Sequence, residues 1–175
     1  MFVLLQLCMA GALLGIDEQA AQDLPKEEPP VVISAHLEPH AENVVKLVIT
    51  ATIKPDWDIV SITQKPGGPP PTRLRLEPSE SYHIKKELES KEKPEILRSD
   101  VWENPEVEVH YDLATWSALI EVSEDIELAD FKIEGRIQTI ANGEDNAIMV
   151  RDPFVARMAS REQQEDNSKI GRAHV

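Results

Sequence analysis

The chain has one cysteine in 175 residues, Cys8, and it lies inside the apolar stretch Phe2 to Ile16. The rest of the sequence has no thiol, which excludes an internal disulfide, a cysteine nucleophile and a thiolate zinc site. Basic residues are also few: 18 Lys and Arg against 32 Asp and Glu leave a formal charge of -14 and a pI near 4.7. Such a chain repels a nucleic-acid backbone or an anionic membrane surface, so neither is an expected partner. No long helical stripe of apolar residues occurs either. What remains, at 41% hydrophobic residues, is enough for the core of one domain.

The apolar stretch FVLLQLCMAGALLGI is too short to span a bilayer comfortably, and Gln19, Ala20, Ala21 and Gln22 follow it as residues follow the apolar region of a signal peptide. Residues 1–22 are therefore expected to be a signal peptide or an N-terminal anchor, and the protein to be exported to the periplasm or cell envelope. No Lys or Arg precedes the stretch and no A-x-A pattern ends it, which keeps a membrane tether open. Residues 23–30, DLPKEEPP, read as an extended proline-rich spacer, and residues 31–157 as the folded domain. Residues 158–175 have the composition of a disordered tail. Its last six residues, IGRAHV at 170–175, match the translation of a common sequencing adapter and are expected to be an artefact, with the natural chain continuing past about Ser168.

Within 31–157 apolar residues recur at every second position, the signal of half-buried strands. Val45, Leu47, Ile49, Ala51 and Ile53 line one face of one strand; Thr72, Leu74 and Leu76 alternate with Arg73 and Arg75. Val107, Val109, Tyr111 and Leu113 repeat the pattern, as do Trp116, Ala118, Ile120 and Val122. Phe131, Ile133, Gly135, Ile137 and Thr139 do so again, with Lys132, Glu134, Arg136 and Gln138 facing outward, and a short last strand is expected near Phe154. Lys85 to Arg98, charged and containing Pro94, reads as a long surface loop. The predicted fold is all-β, an immunoglobulin-like antiparallel sandwich.

The most specific segment is WDIVSITQKPGGPPPTRLRL, Trp57 to Leu76. A strand ends at Gln64, Pro66 sets φ, Gly67 and Gly68 admit conformations closed to other residues, and Thr72 opens the next strand. With its flanking strands this block resembles the DsbD N-terminal-like domains of thiol:disulfide interchange proteins, in Trp57, Ser61, Thr63, Gln64, Pro66, Gly67, Gly68, Pro69 and Thr72. The resemblance runs on through Trp102 and HYDLATWSALIEVSEDIELADFKIEGRI, covering about Val31 to Ala156. It implies an immunoglobulin-like fold and a hairpin whose two cysteines pass electrons to other exported thiol proteins. Here the matching stretch is TIANGEDNAIMV, with Asn142 at the first cysteine position and Ala147 at the second. Neither side chain can form a mixed disulfide. Val60 and Asp58 also replace the Tyr and His of the family block.

The resemblance therefore implies a scaffold retained without its redox centre: no catalytic residue, no cofactor and no metal. Its function would be to bind a protein partner of the cell envelope, such as a membrane or thioredoxin-like redox protein, through Trp102, Asn142, Gly143 and Ile148. One alternative makes it the docking domain of a larger protein-disulfide reductase whose cysteines lie downstream. Another places a metal or small ligand in the 142–148 loop, where Asn142-Gly143 invites a tight turn and NGEDN offers oxygens to a cation. His36 and His40 fall on a loop or strand end, and His83 and His110 are expected to have no neighbouring serine or cysteine with which to form a nucleophilic pair. Glu87, Glu121 and Asp145 do not stand out from a generally acidic surface. Trp57 and Trp116 are expected in the core, and Trp102 in a loop over the hairpin.

Overall fold

The computed structural model describes residues 28–159; the expected leader, most of the spacer and nearly all of the tail lie outside them. Ten strands follow one another: β1 (Val31–Ala41), β2 (Val44–Ile53), β3 (Asp58–Val60), β4 (Arg73–Leu76), β5 (Tyr82–Ser90), β6 (Glu95–Arg98), β7 (Glu106–His110), β8 (Leu113–Val122), β9 (Lys132–Asn142) and β10 (Ala147–Arg157). One sheet has the order β1-β2-β8-β5. The other runs β10-β9-β3-β7-β6, with β4 also on β9, and all these pairings are antiparallel. The two sheets make the expected sandwich.

Alternation does most of the building. Val45, Leu47, Ile49, Ala51 and Ile53 of β2 are buried, and so are Trp116, Ala118, Ile120 and Val122 of β8, which lies beside it. From the facing sheet, Ile133, Ile137 and Ala141 of β9 and Phe154 and Ala156 of β10 complete the core. Trp116 is its largest fully buried side chain. β9 is long enough to hold two partners in succession along one edge, β4 at residues 135–138 and β3 at 141–142, while β10 covers the other edge from end to end.

The strand framework departs from the sequence reading in four places. Lys85 to Arg98 is not a loop: it contributes most of β5 and all of β6. Both are edge strands, and β5 has register irregularities between Ile84 and Lys86 and between Lys86 and Glu89, which erase the two-residue period. Exposed Lys and Glu suit such an edge, since they oppose pairing with a further chain. The short strand near Phe154 is the eleven-residue β10. The run through Tyr111 and Leu113 breaks at Asp112, whose φ of 56° turns β7 into β8 and leaves both apolar side chains exposed. His36 sits inside β1 beside Glu38 (3.2 Å). His40 lies four positions farther along the strand, about 13 Å at the usual rise, too far for a shared ligand.

Gly135 shows how closely the layers approach. A Cβ there would lie 2.6 Å from Phe154 Cζ and 2.8 Å from the carbonyl oxygen of Arg75 on β4. The second contact is with main chain and cannot swing aside. Gly135→Ala is expected to destabilise the domain by about 1–3 kcal/mol, read as a lower urea midpoint at unchanged m-value.

Candidate functional site at the hairpin end

The β9–β10 hairpin turns at Glu144 and Asp145, with the Gly143 N–H donating to the Asn146 carbonyl at 2.8 Å. The Asn142-Gly143 pair expected to form the turn thus stands at its base. Asn142 and Ala147 are direct cross-strand partners. Because the adjacent Gly143–Asn146 pair is hydrogen-bonded, alternation makes Asn142–Ala147 a non-hydrogen-bonded pair, the arrangement that brings Cβ atoms closest. On the other edge of β9, Asn142 is opposite Asp58, and its Nδ2 donates to Asp58 Oδ1 at 2.6 Å. Burial pushes the Asp58 carboxyl above its ordinary range, and the bond from Asn142 opposes that shift.

Around this pair lies a hollow of about 510 Å3 on the outward face of the six-stranded sheet. Leu97, Val107, Val109, Ile140, Ile148 and Met149 supply apolar walls, and Asp58, Asn142 and Ala147 one rim. Trp102 stands on another side, 40% exposed, with Leu97, Ile148 and Met149 similarly open at 38%, 38% and 44%. Four large apolar groups left to water around one hollow make a patch of the kind used for partners. The structure thus brings Trp102, Asn142, Ala147 and Ile148 together. Gly143 instead lies against the Trp57 indole on the neighbouring side. Trp57 itself is only half-buried, packed against the core rather than within it.

The Pro/Gly block holds the wall that bears Trp102. Gly67 has φ +87°, and its carbonyl accepts the Asn104 N–H at 2.9 Å, two residues from Trp102. Gly68 has an ordinary φ but leaves no room for a Cβ, which would lie 2.3 Å from Gln64 Nε2. Gln64 is buried and bridges to β7: its Oε1 accepts the Glu108 N–H at 2.7 Å and its Nε2 donates to the Glu106 carbonyl at 3.2 Å. Pro69 lines the hollow. Thr72 donates to the Val60 carbonyl and sits 2.6 Å from Thr139 Oγ1. Pro66 is exposed at the turn.

Ser61 corrects the reading of His110. The chain folds Ser61 Oγ to 3.2 Å from His110 Nε2, although they are 49 positions apart in sequence. Both side chains are buried, and burial holds the His110 imidazole below its ordinary range, against the nearby charges of Glu92 and Glu108. The pair joins buried Glu108 in a polar cluster that reaches the surface at Thr63, while Ser61 itself is fully buried. Among the described residues no group of three His, Cys, Asp or Glu is placed to hold a metal ion.

Sequence reasoning missed Leu97, Ile140 and Met149. A signal existed for two of them: Ile140 and Met149 occupy positions where alternation turns side chains outward, and an apolar residue there interrupts an otherwise polar face.

Fold and site together define an immunoglobulin-like sandwich with an apolar hollow beside its terminal hairpin. Comparison with protein-family models and with curated proteins returns no match. Among solved structures, the N-terminal periplasmic domain of ScsB from Proteus mirabilis is similar with a TM-score of 0.57 at 10% identity, over 84% of this chain and 55% of that one. The chain thus spans about half the length of that structure. The DsbD N-terminal domain of Neisseria meningitidis aligns with a TM-score of 0.45 at 9% identity, over 73% of this chain and 86% of that one. The fold is that of the ScsB N-terminal periplasmic domain, an immunoglobulin-like sandwich as the sequence implied.

Asp58 generates a pH-dependent expectation. A carboxyl whose folded pKa is raised holds its proton more tightly in the native state, so its ionisation costs stability near neutral pH. That cost disappears below the ordinary carboxylate range, about pH 3.9. Asp58→Asn, which keeps an acceptor for Asn142, is expected to raise the urea midpoint at pH 7, with the gain vanishing as pH falls through that range.

Proposed function

We propose that this chain is an exported DsbD N-terminal-like module that carries out no thiol chemistry itself and docks a protein partner at the β9–β10 hairpin. The observation that carries this reading is the Asn142–Ala147 pair at the rim of the apolar hollow. The pair occupies the family's two cysteine positions, in a geometry suited to a cross-strand disulfide, yet it holds a carboxamide and a methyl group. The surface for docking is kept and the sulfur for exchange is absent. The occupant we infer is a thioredoxin-like domain of an envelope redox protein, which would set an apolar loop against Trp102 and Ile148. Similarity to a periplasmic domain supports export. A second reading, in which the module serves as docking domain within a longer reductase, is favoured by its match to 55% of the ScsB structure, and it uses the same surface.

The test is thiol–disulfide exchange with a DsbD-type membrane donor. The wild-type chain is expected to give no turnover, and measurable turnover would overturn the reading. Asn142→Cys combined with Ala147→Cys is expected to form a disulfide under mild oxidation, seen as loss of two alkylatable thiols, because the paired Cβ atoms lie within reach of one. In a separate titration against a thioredoxin-like domain, Trp102→Ala with Ile148→Ala is expected to weaken binding at least tenfold, about 1.4 kcal/mol.

A further inference from the structure

The outward face of the six-stranded sheet carries a second feature, farther down β9 and independent of the hairpin. Alternation turns Arg136 and Gln138 outward on β9. Antiparallel register then sets Arg75 of β4 directly opposite Arg136 on one side and Arg151 of β10 directly opposite Gln138 on the other. These four side chains line a hollow of about 370 Å3.

The charges in this hollow are uncompensated. Like charges directly opposite on neighbouring strands destabilise the pair, and a chain with 32 acidic residues has carboxylates available to neutralise them. Yet the seven ion pairs among the described residues all use Lys or His, and none uses an arginine. Glu134, the next outward residue of β9, is held by Lys132 at 2.6 Å. Three guanidiniums are thus converged by register, at a cost to the sheet, with no internal counter-ion.

A guanidinium presents its N–H groups in a planar fork that matches the oxygens of a phosphate, and the Gln138 amide adds a further donor. The net charge of -14 opposes an extended anionic surface, but its reach is limited to about 8 Å at physiological salt. A compact anion inside the hollow meets the arginines first. We propose that Arg75, Arg136 and Arg151, with Gln138, form a binding site for a phosphate-type oxyanion, borne by a small soluble molecule or by a lipid headgroup.

The experiment is a titration of the full chain with inorganic phosphate, against chloride at matched ionic strength, followed by NMR of the arginine Nε–H groups. Saturable shifts at Arg75, Arg136 and Arg151 are expected with phosphate alone. Arg136→Gln with Arg151→Gln is expected to weaken phosphate at least tenfold, while Lys91→Gln with Lys93→Gln, an equal loss of charge on the β5–β6 turn, leaves it unchanged. Equal shifts with chloride, or equal loss in both double variants, would reduce the effect to general screening and overturn the proposal. The arginine variant relieves repulsion and is expected to melt no lower than wild type in chloride; a lower melting temperature would make the arginines structural and also overturn it. Vesicles of phosphatidylcholine with and without phosphatidic acid separate the two sources. Binding that needs phosphatidic acid and is competed by phosphate places the oxyanion on a lipid, and phosphate binding without vesicle binding places it on a soluble ligand.

Discussion

The main-chain ladder of β9 organises this molecule. Its eleven residues bond to β10 along one edge and to β4 and then β3 along the other, so one strand sets the register of three others. Its inward side chains, Ile133, Ile137, Thr139 and Ala141, are all buried, which fixes the register energetically. A slip of one residue would exchange that set for Lys132, Glu134, Arg136 and Gln138. The same ladder that closes the core thereby determines which side chains stand together outside it. Arg136 faces Arg75 and Asn142 faces Asp58 and Ala147 for a reason that has nothing to do with their own chemistry.

Around this frame the buried side-chain polar groups among the described residues have their bonds met, with the indole N–H of Trp116 as the exception. Gln64 reaches the main chain of β7, Thr72 joins Thr139 and the main chain of β3, and Ser61 meets His110. Removing one member of such a set leaves its partner dry and unpaired, a cost of about 1–3 kcal/mol, whereas the intact set costs little. These bonds hold the turn at Gly67, the turn holds Asn104, and the short loop bearing Trp102 is held as a consequence. The Pro/Gly block that is most recognisable in sequence therefore works at a distance, as a brace for one wall of the hollow.

Much of this was legible before any coordinates. The buried faces of β8 and β9 follow from the two-residue period, because each strand has one side in the core and one more open side, whereas β2 also buries Val44 and Val48 on its second face. Period reading failed where that asymmetry is absent. β5 and β6 are edge strands with little to bury, and their bonds come from neighbouring main chain, which no side-chain pattern reports. It failed at Tyr111 and Leu113 because a single left-handed residue, Asp112, separates two strands of similar composition. The site was legible in part: Trp102, Asn142, Ala147 and Ile148 do meet at one hollow, whereas Leu97 and Met149 entered only with the sheet order.

The amino-acid sequence by itself determined the class of fold, the lack of a thiol in the folded part and the faces of the long strands, since composition and alternation are properties of a chain read in one dimension. The tertiary structure alone decided which residues are neighbours across strands: Arg75 with Arg136, Asn142 with Asp58, Ser61 with His110. Those juxtapositions depend on register and strand order. Register and order are set by how two sheets fill a common core, a constraint that no short stretch of sequence contains.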